Sequence, residues 1–221
     1  KLPPYPSIAL GSAEIPMVEM LQSYTMFPNR GYNTEPVYLT RIEDKNGNLI
    51  FEFPLAQSKQ VIGEVDDYTM VKLMEGVVKS GTARSLNSYN IPVAKAGKTG
   101  TTNNYTDGWF IGYTPDLLAG TWVGCADPFI PIYSNNVGGA EMSAPRWGIF
   151  MSKVAADKKL DYNKKKDFDE PPEMKMDPIY ADNSRFAELL NQGDSLTVDS
   201  GVNDGGDFFN EEPIDETQGT N

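Results

Sequence analysis

The sequence predicts an α+β fold in which helices pack on an antiparallel sheet, followed by an acidic tail. Apolar residues at helical spacing precede and follow a group of closely spaced strand segments. Residues 158–221 carry 16 acidic and 7 basic side chains, against 15 and 12 in residues 1–157. Apolar periodicity also ends near residue 156. We therefore expect one folded domain over 1–157 and a flexible tail over 158–221, with one short helix over 184–191.

Three segments of the domain have the apolar spacing of helices. The first begins at Pro16, because proline is favoured at the first helical position, and continues towards Phe27. The second spans about 66–80 and ends before Gly81, which suits the residue beyond a helix C-terminus. The third is expected to open at 143–145, where a proline again suits the first turn.

Five strand segments complete the pattern. The first two flank a turn at 44–47, whose Asn-Gly step strongly favours a hairpin. The last three follow one another closely and should form a meander with one face buried under the three helices. The predicted strand ranges are 37–42, 49–53, 93–102, 108–113 and 117–124.

Composition excludes several classes of function. The net charge of −12 argues against nucleic-acid binding, which needs a concentrated basic face. The absence of histidine excludes Ser-His-Asp and Cys-His catalysis and the commonest zinc sites, and we expect no metal and no cofactor. The single cysteine, Cys125, excludes an internal disulfide. No stretch of about 18 apolar residues is present to span a membrane.

The most informative segment runs from Ala96 to Asp116 and reads AGKTGTTNNYTDGWFIGYTPD. We expect a hairpin whose first strand places a cation, two hydroxyls and a residue without a side chain beside a cleft. A lysine near two hydroxyls attracts a carboxylate, and an edge strand offers backbone N–H groups. The set therefore suits an anionic substrate that carries a carbonyl group. Its members are Lys98, Thr99, Gly100 and Thr101.

This run resembles the third active-site motif of penicillin-binding proteins and serine β-lactamases. Further segments, in the same order, resemble the C-terminal part of the transpeptidase domain of class A (bifunctional) penicillin-binding proteins. Together they cover about residues 6–151 and imply a partial penicillin-binding, serine β-lactamase-like fold. The further segments are 7–11 with 16–20, 75–83, and 138–151.

The resemblance implies a role for each residue of the strand. Lys98 would hold positive potential over the cleft and relay protons to and from the catalytic serine. The hydroxyls of Thr99 and Thr101 would bind the terminal carboxylate of a D-alanyl-D-alanine stem peptide or of a β-lactam. Thr102 would belong to the same substrate-binding strand, and Gly100 would let the substrate backbone approach closely. The backbone N–H of Thr101 would complete an oxyanion hole.

The chain departs from the family at two motifs. No serine has a lysine three residues later, so the nucleophilic Ser-x-x-Lys motif is absent and this chain alone cannot form an acyl-enzyme. The Ser-x-Asn motif occurs only after the segment that it should precede, which makes its copies coincidental. We expect the nucleophile, the second motif, a glycosyltransferase domain and a membrane anchor on polypeptide that precedes Lys1. The three Ser-x-Asn copies are 85–87, 88–90 and 134–136.

The leading interpretation is part of a peptidoglycan D,D-transpeptidase that cross-links stem peptides through a serine acyl-enzyme and binds β-lactams. Such an enzyme works on the extracytoplasmic face of the bacterial cytoplasmic membrane. Two alternatives stay open: a non-catalytic sensor of peptidoglycan or β-lactams, and a hydrolase of the D,D-carboxypeptidase or β-lactamase type. The acidic tail is a candidate docking segment for envelope partners.

Overall fold

A computed structural model of the chain describes residues 5, 6, 8, 11, 13–102, 105–127, 130–132, 138–160, 162 and 166–176. The predicted tail beyond these residues, with its helix over 184–191, lies outside the described part. The helices are α1 (Met17–Tyr24), α2 (Glu64–Lys79), α3 (Gly139–Ala156) and α4 (Pro172–Met176). The strands are β1 (Tyr32–Thr34), β2 (Arg41–Glu43), β3 (Leu49–Glu52), β4 (Ser58–Gln60), β5 (Ala96–Thr101), β6 (Asp107–Tyr113) and β7 (Leu118–Gly124).

The last three strands form the predicted antiparallel meander, in the order β5-β6-β7. Lys98 lies opposite Ile111, and Thr101 lies opposite Gly108. Among the described strands, β5 pairs with β6 alone and is therefore an edge strand of this sheet. The combination of helices with antiparallel sheets confirms the predicted α+β class.

Both faces of the meander carry packed side chains. Phe110 faces α3, and its ring meets that of Trp147 at a centroid distance of 5.5 Å and an angle of 75°. Tyr113 lies an odd number of residues further along β6 and so points to the other face. There it packs with Ala96 and with Val71 of α2. The prediction that all three helices cover one face is therefore wrong. Helices cover both faces of the sheet, and β6 is accordingly buried almost continuously instead of at every second residue.

α3 begins at Gly139, earlier than predicted. The backbone N–H of Gly138 donates to Oε2 of Glu141 at 3.0 Å, which holds the start of the helix in place. A Cβ on Gly139 would collide with the carbonyl oxygens of Gly100 and Trp109, so the helix start lies directly on the sheet. The spacing of residues along the sequence could not predict this contact, because it joins segments that are far apart in the chain. The proline that suggested a later start lies inside the helix.

The N-terminal elements are close to their predicted positions. α1 ends at Tyr24, and a short 3-10 turn follows it over Phe27–Asn29. The hairpin of β2 and β3 is confirmed, and its turn is held by the Asp44 carboxylate, which accepts the backbone N–H groups of Asn46 at 2.7 Å and Asn48 at 2.9 Å. The β1–β4 pair was not predicted, because these three-residue strands are mostly polar and carry no alternating apolar pattern.

Residues 166–171 pack against the domain although they belong to the predicted tail. The carbonyl oxygen of Lys166 accepts the backbone N–H of Ala94 at 2.9 Å. The ring of Phe168 lies edge-on to that of Tyr113, with 5.5 Å between centroids. These contacts were not expected from the charge pattern, and the domain boundary drawn from that pattern stays a prediction.

Candidate active-site strand

The backbone of β5 offers hydrogen-bonding groups at its free edge. The N–H of Thr102 donates to the carbonyl oxygen of Asp107 at 3.4 Å, so these two residues form the hydrogen-bonded type of antiparallel pair. Because the two pair types alternate along a ladder, Thr99 and Thr101 direct their N–H and C=O groups away from β6. The Thr101 N–H, the predicted oxyanion donor, therefore faces the free edge.

Lys98 places a positive charge beside the same edge. Its side chain is exposed, and Nζ donates to the carbonyl oxygen of Thr99 at 2.9 Å. In the described part of the chain, Lys98 has no carboxylate partner. The ammonium group is therefore free to interact with an anion that approaches the edge.

The hydroxyls of Thr99 and Thr101 lie on the opposite face of the strand from Lys98, because side chains alternate between faces. Oγ1 of Thr99 is 2.9 Å from Oγ1 of Thr82, which follows α2. Oγ1 of Thr101 accepts the backbone N–H of Gly139 at 3.0 Å. Since that bond uses a lone pair of the oxygen, the Thr101 O–H remains able to donate to a ligand carboxylate.

Thr102 and Gly100, the two other predicted residues of the strand, each have a structural role within the hairpin. The hydroxyl of Thr102 lies 2.8 Å from that of Thr106 and accepts the backbone N–H of Asp107 at 3.0 Å, so it closes the end of the hairpin. A Cβ on Gly100 would lie 3.2 Å from the Cβ of Trp109 on the neighbouring strand. Substrate binding by Thr102 and Gly100 stays a prediction, and both are placed next to the residues that form the edge.

The side chains of the two described Ser-x-Asn copies make local hydrogen bonds, at the end of α2 and in the turn that follows it. The side-chain amide of Asn87 donates to the carbonyl oxygens of Val78 at 2.9 Å and Lys79 at 3.1 Å, which supplies partners for the last helical carbonyls. The hydroxyl of Ser88 donates to the carbonyl oxygen of Ser85 at 2.8 Å. These bonds support the interpretation that the copies are coincidental, and the third copy, at 134–136, lies outside the described residues.

Two residues that orient the strand were missed from the sequence. Thr82 contacts the hydroxyl of Thr99, and Gly139 donates to that of Thr101. Both lie in segments that resemble the family, 75–83 and 138–151, but no spacing rule connects them to the strand. Only the fold brings them there.

Neither a metal site nor a membrane helix is found in the described ranges. No group of three or more metal-ligating side chains comes together there. No helix in that part of the chain is both long enough and apolar enough to cross a bilayer.

The arrangement of sheet and helices is that of penicillin-binding proteins. Penicillin-binding protein 1A from Haemophilus influenzae matches with a TM-score of 0.66 at 22% identity, over 75% of this chain and 29% of that chain. PonA1, a penicillin-binding protein from Mycobacterium tuberculosis, matches with a TM-score of 0.63 at 22% identity, over 76% of this chain and 44% of that chain. Identity this low establishes the fold alone.

Sequence comparison establishes the family. The model of the penicillin binding protein transpeptidase domain matches residues 5–124. Penicillin-binding protein 1A of Aquifex aeolicus is 31% identical over 172 residues, which cover 78% of this chain and 22% of that protein. Penicillin-binding protein 1B of Buchnera aphidicola is 37% identical over 121 residues, covering 54% of this chain and 16% of that protein. The chain belongs to the penicillin-binding protein transpeptidase family, and the predicted resemblance is confirmed.

Proposed function

We propose that the protein carrying this chain is a peptidoglycan D,D-transpeptidase and that this chain supplies its substrate-binding strand. The observation that carries the proposal is the free edge of β5. There an ammonium group with no carboxylate partner among the described residues, two oriented hydroxyls and an outward-facing backbone N–H lie within four consecutive residues of a transpeptidase family member. The residues are Lys98, Thr99, Gly100 and Thr101.

The donor stem peptide would bind as an added strand along this edge. An extended D-alanyl-D-alanine terminus can pair with the outward N–H and C=O groups of Thr99 and Thr101, as peptides do at other exposed sheet edges. Its terminal carboxylate would accept hydrogen bonds from the two hydroxyls and lie within the field of Lys98. A β-lactam would use the same contacts, because it also carries a carboxylate and a reactive carbonyl group.

Catalysis would need one further group from polypeptide outside this chain. A serine attacks the penultimate carbonyl carbon, the carbonyl oxygen becomes negative, and D-alanine leaves as the serine ester forms. The Thr101 N–H would stabilise the oxyanion, a contribution of about 3 kcal/mol for one donor. An amine of a neighbouring strand then attacks the ester and regenerates the serine. We propose that the enzyme acts outside the cytoplasm, where peptidoglycan is assembled.

A test of this function compares variants of the whole protein that contains the chain. Lys98→Gln removes the ammonium group, and Thr101→Val removes a hydroxyl with little change of shape. Each should lower the rate of acylation by a fluorescent penicillin by about 10-fold or more, since hydrogen bonds to charged groups contribute about 1.5–3 kcal/mol. Lys79→Gln and Thr69→Val are matched controls, because Lys79 is exposed at the end of α2 and the Thr69 hydroxyl bonds within that helix.

The outcomes separate the proposal from its alternatives. Unchanged acylation in both strand variants would refute the assignment of the site. Acylation followed by release of free D-alanine without cross-linked product would indicate a hydrolase. Reversible binding without acylation in the protein that contains this chain would indicate the non-catalytic sensor.

A further inference from the structure

A pocket lies apart from β5, and none of the residues that line it belongs to that strand. Its walls come from the turn after α1, the N-terminal half of α2, the residues that follow β6, and the segment 166–171. The cavity has a volume of about 60 Å³ and holds more than one water-sized group. Three aromatic rings contribute to the walls, those of Phe27, Tyr68 and Phe168.

A buried carboxyl group lines this pocket without a complete set of partners. Asp67 is 2% exposed, and its Oδ1 has no hydrogen-bond partner among the residues that the structure describes. The backbone amide of Gly31 lowers the pKa of this carboxyl group and so favours its charged form, while its N–H donates to the carbonyl oxygen of Met26 at 2.9 Å. A buried acceptor left unpaired costs free energy, so Oδ1 needs a donor, and the pocket is where a donor can enter.

The charges around the pocket favour a cation. Arg30 already pairs with Asp169 at 3.0 Å, and Lys166 already pairs with Asp116. Both cations of the lining are therefore engaged, and neither is free to bind an anion. A metal ion is a poor fit, because it needs several oxygen ligands and no three metal-ligating side chains of the described residues come together there.

We propose that this pocket binds a small alkylammonium ion, which donates an N–H to Oδ1 of Asp67 and packs its alkyl group against the aromatic walls. Such an ion satisfies the unpaired oxygen, balances its charge and gains cation–π attraction from the rings. The site shares no residue with β5 and is independent of the proposed transpeptidase function.

Binding should strengthen with pH. Burial raises the pKa of Asp67 to about 7, so the carboxylate that attracts the ion forms only near and above neutral pH. The other titratable and charged groups that face the pocket or interact with Asp67 come from α1, α2, β6, the turn after α1 and the segment 166–171. They are Tyr24, Glu64, Tyr68, Glu75, Tyr113, Arg30, Lys166 and Asp169.

The test titrates isotope-labelled protein with ethylammonium chloride at about pH 8, above the pKa of the carboxyl, and follows backbone amide shifts by NMR. Sodium chloride at equal ionic strength is the salt control. Asp67→Asn removes the charge at the pocket with little change of shape. Asp66→Asn is the matched variant, because Asp66 is the preceding residue of α2 and is exposed.

We expect saturable shifts at Gly31 and Asp67 with ethylammonium, not with sodium, in the parent protein and in Asp66→Asn. These shifts should be absent in Asp67→Asn. In the parent protein, the apparent affinity for ethylammonium should fall about 10-fold for each pH unit below 7. Absence of saturable shifts in the parent protein would refute the proposal and leave a water-filled pocket. Equal shifts in Asp67→Asn, or equal shifts with sodium, would refute it as well.

Discussion

Asp67 is a buried ionisable residue, so the free energy of unfolding should depend on pH. Burial raises the pKa of its carboxyl to about 7, the Glu64 charge acts in the same direction, and the backbone amide of Gly31 partly opposes them. In the unfolded chain the pKa returns to about 3.9. Between these values the folded state holds a proton that the unfolded state has lost.

The free energy of unfolding should therefore fall as pH rises from about 4 to about 7, by up to about 4 kcal/mol. Asp67→Asn should remove most of this dependence and be more stable than the parent protein at pH 8, because it has no buried charge. Urea unfolding at several pH values measures both effects. Asp66→Asn should keep the full dependence, and a parent protein with equal stability at pH 5 and pH 8 would contradict the assignment.

The contact between α3 and the sheet depends on small residues and on three side-chain hydrogen bonds that join α3 to β6 and β7. The Ser143 hydroxyl donates to the carbonyl oxygen of Gly108 at 2.6 Å. The indole N–H of Trp147 donates to the carbonyl oxygen of Gly112 at 3.1 Å. The Thr121 hydroxyl donates to the carbonyl oxygen of Ser143 itself at 2.8 Å. These bonds fix the helix on the sheet, with its start next to the end of β5.

Gly139→Ala should destabilise the domain by about 3 kcal/mol, because its Cβ would push α3 away from the backbone of β5 and β6. Gly76→Ala is the matched control. A Cβ at Gly76 has nothing within 4 Å and the residue lies inside α2, so this variant should be stabilised by about 1 kcal/mol. Thermal unfolding of both variants checks the pair, and similar stabilities would show that α3 does not lie as close to the sheet as described.

The elements predicted well are those with strong local signals. The meander, α2 and the Asp44–Gly47 hairpin follow from apolar spacing and from an Asn-Gly turn. The start of α3 was predicted wrongly, since proline at the first turn is a local preference and the true start depends on contact with Gly100 and Trp109. The second covered face of the sheet was missed for a similar reason, because a short apolar run does not reveal which helices cover it.

Across the whole chain, the proposed substrate-binding edge is not accompanied by a Ser-x-x-Lys motif. The roles proposed for Lys98 to Thr101 come from the sequence, because family resemblance and residue chemistry agree there, and they stay predictions. Thr82 could not be predicted, because its contact with Thr99 joins the residue after α2 to a strand far along the chain. The burial of Asp67 could not be predicted either. An acidic residue in the first turns of a helix is normally exposed, and its charge is stabilised there by the helix dipole.

The purified 221-residue chain should not be labelled covalently by a fluorescent penicillin, since no serine here lies in a Ser-x-x-Lys motif. The measurement is a denaturing gel after incubation, with the larger parent protein as the positive control. Mass spectrometry that maps a penicilloyl group to any residue of this chain would contradict the expectation. A parent protein without label would instead favour a non-catalytic binding protein.

Thr101 connects the free edge of β5 to the start of α3. Its hydroxyl oxygen is fixed by the N–H of Gly139, so the direction of its O–H is determined by where α3 begins. A displacement of that helix by a few tenths of an ångström would turn the hydroxyl away from an incoming carboxylate. We therefore expect replacements on the buried side of α3 to change the proposed binding of β-lactams, although they leave every residue of the edge intact.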